Sequence, residues 1–451
     1  MSSKPWMRLA LILAPALLGT VPLGCAGDGG LAVDDGGGSG GAGVASGGRG
    51  GSALGGRGAG GGPGTAGASG LGGTNGGNDA SADGGGDLRG GDARGNDART
   101  ADGGGAGMDG GGSDAADPAA AGVVAAGVRW FGRVDVVTDP ARPRFSWSGS
   151  GFVARFSGTG LGASLNNEAA YIFKTVVDGQ PQPAFTTAAG TASYPLASGL
   201  AAGTHTVELY RQTEGPLGAS QLLSLTITGG ALVAPPAGPA RLIEVIGDSI
   251  SCGYGNLGTL ADADCYLSES HWDAYPSVMA RALGAEVSTV AASGRGVVRN
   301  YGGDTTDTVP MLYGRIIANR AAPAWDFRVQ PQAVVINLGT NDISNNKGDP
   351  GGAFEDTYRT LVETIRARYP RAYIVCIIGP LTSTAETATI VGHLRNVVAA
   401  RNAAGDTQIA VFDQILPQTT DKFACQYHPN VAENALMAGQ LADHLRARLG
   451  W

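Results

Sequence analysis

Residues that bind metals are scarce in this chain. Its 451 residues hold five cysteines and five histidines. No C-x-x-C spacing and no His/Cys cluster occurs, so the pattern carries no signal for a zinc or iron–sulfur site. Charge is sparse as well: 16% of residues are Asp, Glu, Lys or Arg, the net charge is −8 and basic runs are lacking. That balance excludes a nucleic-acid surface. Leu9 to Leu18 is apolar but too short to span a bilayer. Aromatics, 6% overall, are almost missing between Ala26 and about Gly122. A segment so poor in large apolar side chains cannot offset the entropy of ordering its backbone.

What is abundant is glycine, 77 in all, most of it before residue 122. Length alone suggests about three domains, and the glycine-rich part revises that number downward. Residues 1–24 read as a signal peptide, with Lys4 and Arg8 flanking the start of the apolar core. They end in Pro22-Leu-Gly-Cys25, which resembles a bacterial lipobox with Cys25 as the lipidated residue; a plain secretory signal is the alternative. Residues 25–122 are expected to form a disordered linker of Gly, Ala, Ser and Asp. Export leaves Cys252, Cys265, Cys376 and Cys425 able to pair. Cys252 and Cys265 would close a short loop, and that is the disulfide expected.

Between residues 123 and 235 the pattern turns to short alternating segments, such as Gly151-Phe-Val-Ala-Arg-Phe156 and His205-Thr-Val-Glu-Leu-Tyr210. Asp178-Gly179 is a hairpin turn signal. These features predict a small all-β sandwich. Residues 240–451 alternate instead between apolar strand candidates (242–246, 286–291, 333–337, 373–378, 408–412) and helical stretches (275–283, 354–368, 433–449). That alternation predicts a parallel sheet covered on both faces.

Three loops at the ends of those strands carry possible chemistry. Gly247-Asp-Ser249 follows the first strand, Ser293-Gly-Arg-Gly296 the second, and Gly339-Thr-Asn-Asp342 the third. Open α/β sheets place their chemistry just beyond such carboxyl ends. Cys425-Gln-Tyr-His-Pro429 precedes the last helix and supplies a histidine. A serine hydroxyl needs a base to become a useful nucleophile, so Ser249 and His428 are meaningful only together. Of the other histidines, His205 lies in the β region, His393 and His444 in helices, and His271 beside Trp272.

With these residues in place, the chain resembles an SGNH (GDSL-type) hydrolase, and within that superfamily carbohydrate esterase family 2. The wording of Gly247-Asp-Ser-Ile-Ser-Cys-Gly-Tyr-Gly-Asn256 contributes to the likeness, which runs from about Gly127 to Trp451. The resemblance implies a flavodoxin-like three-layer α/β/α catalytic domain behind a jelly-roll-like sandwich. It implies Ser249 as nucleophile, His428 as base, and an oxyanion hole from the amides of Ser249, Gly294 and Asn341, with Gly296 the alternative to Gly294. The superfamily's usual aspartate three residues before the histidine is here Cys425. A Ser–His dyad oriented by a backbone carbonyl or by Gln426 is therefore expected, with Asp413 or Asp421 as more distant alternatives. Asp248 is read as a brace for the loop, and Arg211-Gln-Thr-Glu214, similar to a family signature, as an interdomain contact. Tyr254, Tyr266, Trp272 and Tyr301 are candidates to stack on sugar rings. The implied reaction is removal of O-acetyl groups from a plant polysaccharide, xylan or glucomannan. No cofactor is implied, nor any partner but acetylated polysaccharide; the expected particle is a monomer that meets a membrane only through its lipid anchor. A lipase-like esterase and a non-catalytic carbohydrate-binding protein are the rival readings.

Overall fold

The computed structural model describes Val124, Ala125 and residues 127–451. The signal peptide, Cys25 and the 25–122 linker lie outside the described residues. The β region forms two antiparallel sheets. One runs in the order Val124–Ala125, Val128–Phe131, Gly151–Gly158, Gly203–Arg211, Ile172–Val177, Gln180–Pro181, with Ala231–Val233 and Phe185–Thr186 pairing off this path. The other runs Gly190–Ala197, Gly160–Asn167, Ser220–Thr228, Arg144–Phe145, Val134–Asp135. Inward residues of both, among them Phe152, Phe156, Leu165, Val207 and Leu222, make one core, as expected of a sandwich. Asp178 and Gly179 both have positive φ (49° and 77°) between paired strands. That is the backbone a two-residue hairpin turn requires.

The second region is built on five parallel strands: β1 (Arg241–Gly247), β2 (Ala285–Ala291), β3 (Ala333–Asn337), β4 (Tyr373–Ile377) and β5 (Ile409–Val411). Their order is β2-β1-β3-β4-β5. β3 and β4 are buried along their whole length, and a strand covered on both faces reads as an unbroken apolar run. One face packs Ile246, Val334, Ile336 and Ile374 against helices Gly351–Arg368 and Thr384–Ala403. The other packs Val245, Val335 and Val375 against helices Tyr275–Ala282 and Val431–Leu449.

The sandwich and the α/β region share buried contacts. Trp147 of the sandwich belongs to the same core as Ile246 and Phe354. Arg133, fully buried, donates to Glu244 Oε2 at 3.3 Å. The hydroxyls of Tyr313 and Tyr369 donate to the same carboxylate at 2.9 and 3.1 Å. A charge pair removed from water is tolerable only when its remaining lone pairs are filled in this way.

The strand order reverses direction at β1: the chain moves to β2 on one side, then to β3 on the other. Loops leaving the carboxyl ends of these strands therefore face a common crevice, where ligands bind in open α/β sheets.

Candidate active site

Ser249 is the first residue of a single helical turn, Ser249–Cys252, that begins directly after β1. Asp248 caps it, accepting the Ile250 N–H at 3.1 Å. First-turn amides have no partner within the helix, so the Ser249 N–H makes no bond inside its own turn. Burial, reinforced by the neighbouring Asp342 carboxylate, pushes Asp248 up to about 7.

His428 Nε2 lies 2.8 Å from Ser249 Oγ. Its Nδ1 lies 3.3 Å from the backbone carbonyl of Gln426. A carbonyl only accepts, so the proton sits on Nδ1 and Nε2 presents its lone pair to the serine. The carbonyl thus occupies the place where a triad would have a carboxylate. Asp413 is paired with Arg395, and Asp421 accepts from Thr419; neither is bonded to His428. Gln426 and Tyr427 adopt positive φ (49° and 65°), an uncommon backbone for such residues that is held by its surroundings. The edge of Tyr254 also supports the imidazole, with ring centroids 4.9 Å apart.

The surroundings include a disulfide that differs from the one expected. Cys425 pairs with Cys265, with Cα atoms 5.6 Å apart, while Cys252 and Cys376 are buried free thiols. Cys252 lies in the turn of the nucleophile, and its sulfur faces Glu214 rather than Cys265. Gly255 makes the real bridge possible: a Cβ there would meet the Cβ of Cys425 at 2.8 Å and of Cys265 at 3.0 Å.

After β2 the chain turns at Gly294, whose φ is +75°. Its N–H has no acceptor among the described residues, whereas the Gly296 N–H is taken by Asn300 Oδ1 at 3.1 Å. Gly294 is therefore the free donor, and Gly296 is a packing glycine where a Cβ would strike Arg299 O at 2.1 Å. Asp342 holds this loop by accepting amides of Val297, Val298 and Arg299. Asn341 is the second residue of the short turn Thr340–Ile343 after β3; its amide donates to Arg295 O at 2.9 Å and to Asp248 Oδ2 at 3.3 Å. The second bond is the longer of the two. Ser249, Gly294 and Asn341 line one cleft together with His428, and amide donors of this kind are what a tetrahedral intermediate requires.

These groups line a cleft of about 700 Å³ with Tyr254, Tyr266, Tyr301, Tyr427, Asn345, Leu381, Glu386 and Gln426, a volume in the usual range for ligand sites. Trp272 is not among them. It lies in a separate groove with Arg129, Tyr210 and Glu286, its ring covered by the Arg281 guanidinium at 4.0 Å and the edge of Tyr210. The indole is occupied by its own neighbours and is no sugar platform. His271 is likewise structural, held between Ser277 and Thr289. Glu386 and Tyr427 are cleft residues that sequence reasoning missed. For Glu386 the available signal was Ser383-Thr-Ala-Glu386, whose capping box ties the glutamate to the start of its helix.

Burial pushes His428 down to about 4, against the raising effect of the Gln426 and Cys425 backbone. The base is neutral above that pH, so kcat/KM should fall on acidification with a midpoint near 4 rather than near histidine's ordinary 6.5. A pH profile on p-nitrophenyl acetate measures this, and a midpoint above 6 would refute it. For stability the sign is fixed by the same shift. Between about 4 and 6.5 the unfolded chain binds the extra proton, so this group's contribution is lost as pH falls through that window.

A GDSL-type hydrolase domain preceded by a β-sandwich is the class that fold and site define. Residues 245–436 match the model of the GDSL-like lipase/acylhydrolase family, and residues 130–236 match the carbohydrate esterase 2 N-terminal domain. The cellulase/esterase CelE of Acetivibrio thermocellus is 34% identical over 322 residues, 71% of this chain and 39% of the relative. The chain thus spans well under half of that relative's length. An acetylxylan esterase / glucomannan deacetylase of Cellvibrio japonicus is 29% identical over 335 residues, 71% of this chain and 90% of the relative. Among solved structures, a family two carbohydrate esterase from Clostridium thermocellum in complex with cellohexaose has a TM-score of 0.69 at 34% identity, covering 72% of this chain and all of that one. The chain belongs to carbohydrate esterase family 2, a family of carboxylic-ester hydrolases.

Proposed function

We propose that this chain is an exported esterase that removes O-acetyl groups from plant polysaccharide through a serine acyl-enzyme. The observation that carries the reading is the 2.8 Å contact of Ser249 Oγ with His428 Nε2, beside the amides of Ser249, Gly294 and Asn341. Ser249 attacks the acetyl carbonyl while His428 takes its proton. The oxygen that becomes negative is met by the three amides. When the intermediate collapses, His428 returns the proton to the departing sugar oxygen. Water, activated by the same imidazole, then releases acetate. The polymer class follows the relatives' printed names, xylan or glucomannan. The tyrosine-lined cleft suits the apolar faces of a sugar chain. Residues 1–24 as a signal and Cys25 as a lipid anchor complete the proposal, with a monomer as the working unit.

The test is acetate release from acetylated glucomannan and acetylated xylan, with a palmitoyl ester run in parallel. Release from a glycan with at least tenfold lower turnover of the long chain is expected. Turnover of the long chain alone would favour a lipase. Glycan binding with no hydrolysis of any ester would leave a carbohydrate-binding protein.

A further inference from the structure

The β-sandwich contributes one side chain that reaches the catalytic loops from behind. Glu214 is 2% exposed, and its Oε2 accepts the Ser293 N–H at 2.6 Å. Ser293 is the residue before Gly294, so this bond fixes the peptide that leads into the oxyanion amide. The same oxygen lies 3.5 Å from the Cys252 sulfur, which donates to it from the last position of the nucleophile's helical turn. The phenol of Tyr266, a cleft residue whose ring meets that of Tyr254 edge-to-face, also faces this carboxylate. One carboxylate from the sandwich therefore joins the nucleophile turn, the oxyanion loop and the aromatic wall of the cleft.

The rest of its motif holds Glu214 in place. Arg211, fully buried and stacked 3.7 Å over the Tyr171 ring, donates to Thr213 O at 2.9 Å and Glu214 O at 3.3 Å. Gln212 accepts the Trp272 N–H at 2.8 Å, and Glu269 accepts the Glu214 N–H at 3.4 Å. Such a preorganised support is what an oxyanion hole requires, because a donor displaced by a fraction of an ångström loses most of its advantage.

We infer that Glu214 is a positioning residue for ester hydrolysis: it sets the oxyanion amide of Gly294 against Ser249 from the neighbouring domain. The inference rests on the esterase reading for its turnover measurements only. In the full-length chain, Glu214→Ala should lower kcat for p-nitrophenyl acetate roughly tenfold to 100-fold, a part of the 10²–10³ that loss of an oxyanion donor costs. KM should stay within about threefold, because the donor acts chiefly on the transition state. Glu214→Gln, which keeps an acceptor for the Ser293 N–H, should restore kcat to within about threefold of the parent. Amide hydrogen exchange read by mass spectrometry should show faster exchange confined to the segment around Ser293 in the alanine variant and not in the glutamine variant. If Glu214→Ala fails to fold, Glu214→Asp serves instead, since its carboxylate is withdrawn by one carbon; the same fall in kcat and local exchange is expected. The idea is overturned by an unchanged kcat, by a KM effect alone, by glutamine and alanine variants that fall equally, or by exchange that rises across the whole chain. Should the parent hydrolyse no ester, the esterase reading fails, and the exchange comparison still decides the positioning role.

Discussion

Replacing Ser249 or His428 by alanine should each lower kcat on acetyl esters by about four to six orders of magnitude, and the double replacement should cost little more than either alone. Residues that act as one unit are strongly non-additive in this way. The residual rate would come from the three amides, which still bind the charge without a nucleophile. In the same assay Asp413→Asn and Asp421→Asn should stay within about threefold of the parent. Both carboxylates are engaged elsewhere, with Arg395 and Thr419, while the Gln426 carbonyl faces His428 Nδ1. A carbonyl fixes the tautomer by hydrogen bonding and supplies only a partial charge to an imidazolium. Placing it in a stiff loop makes up for part of that difference. A loss beyond a hundredfold in either aspartate variant would mean that a carboxylate completes the site and that the dyad is wrong.

The second large effect is expected from the disulfide. Cys265 and Cys425 are 160 residues apart in sequence, and a loop of that size gives about 5 kcal/mol in the chain-entropy model, near the top of what disulfides deliver. Cys265→Ser should lower Tm by roughly 10–20 °C, at the ~2–4 °C per kcal/mol of domains of 150–250 residues. It should also lower kcat about tenfold or more at temperatures where the variant is fully folded. The reason is local: Cys425 stands three residues before His428, and the bridge restrains the backbone that keeps Gln426 and Tyr427 at positive φ. Dithiothreitol on the parent should reproduce both changes. A Tm within 2 °C and a kcat within threefold of the parent would show that the bridge neither stabilises the fold nor holds the base.

Much of the fold was legible because parallel strands advertise themselves. The apolar run at 333–337 and its neighbours fall within a residue or so of the observed strands, since a strand buried on both faces leaves no room for polar residues. The helix Thr384–Ala403 was read only at His393, without bounds. Its buried positions, Ile390, Val391, Leu394, Val397 and Val398, sit among threonines, alanines and a glycine, so the apolar stripe barely contrasts with the opposite face. Ser249, Asn341 and His428 were readable as motif residues. The pairing of Cys425 and the withdrawal of Trp272 from the cleft were not; Arg211–Glu214 was readable as an interdomain contact, but not the loop that Glu214 reaches. Each depends on which distant segments the fold brings together, and sequence spacing carries no information about that. Proximity in sequence favoured Cys252 with Cys265, yet the turn that presents Ser249 points Cys252 inward toward the sandwich.

The parts of the site are drawn from far along the polypeptide: Glu214 from the sandwich, Ser249, Gly294 and Asn341 from successive strand ends, and His428 from the loop before the last helix. During synthesis, the nucleophile is made about 180 residues before its base. Until that base arrives, Ser249 is an ordinary alcohol. The bridge to Cys425 cannot close until the same moment, and it needs an oxidising compartment to do so. In the exported chain proposed above, full competence would then come only with covalent closure, and a reduced copy inside the cell would keep about a tenth or less of it.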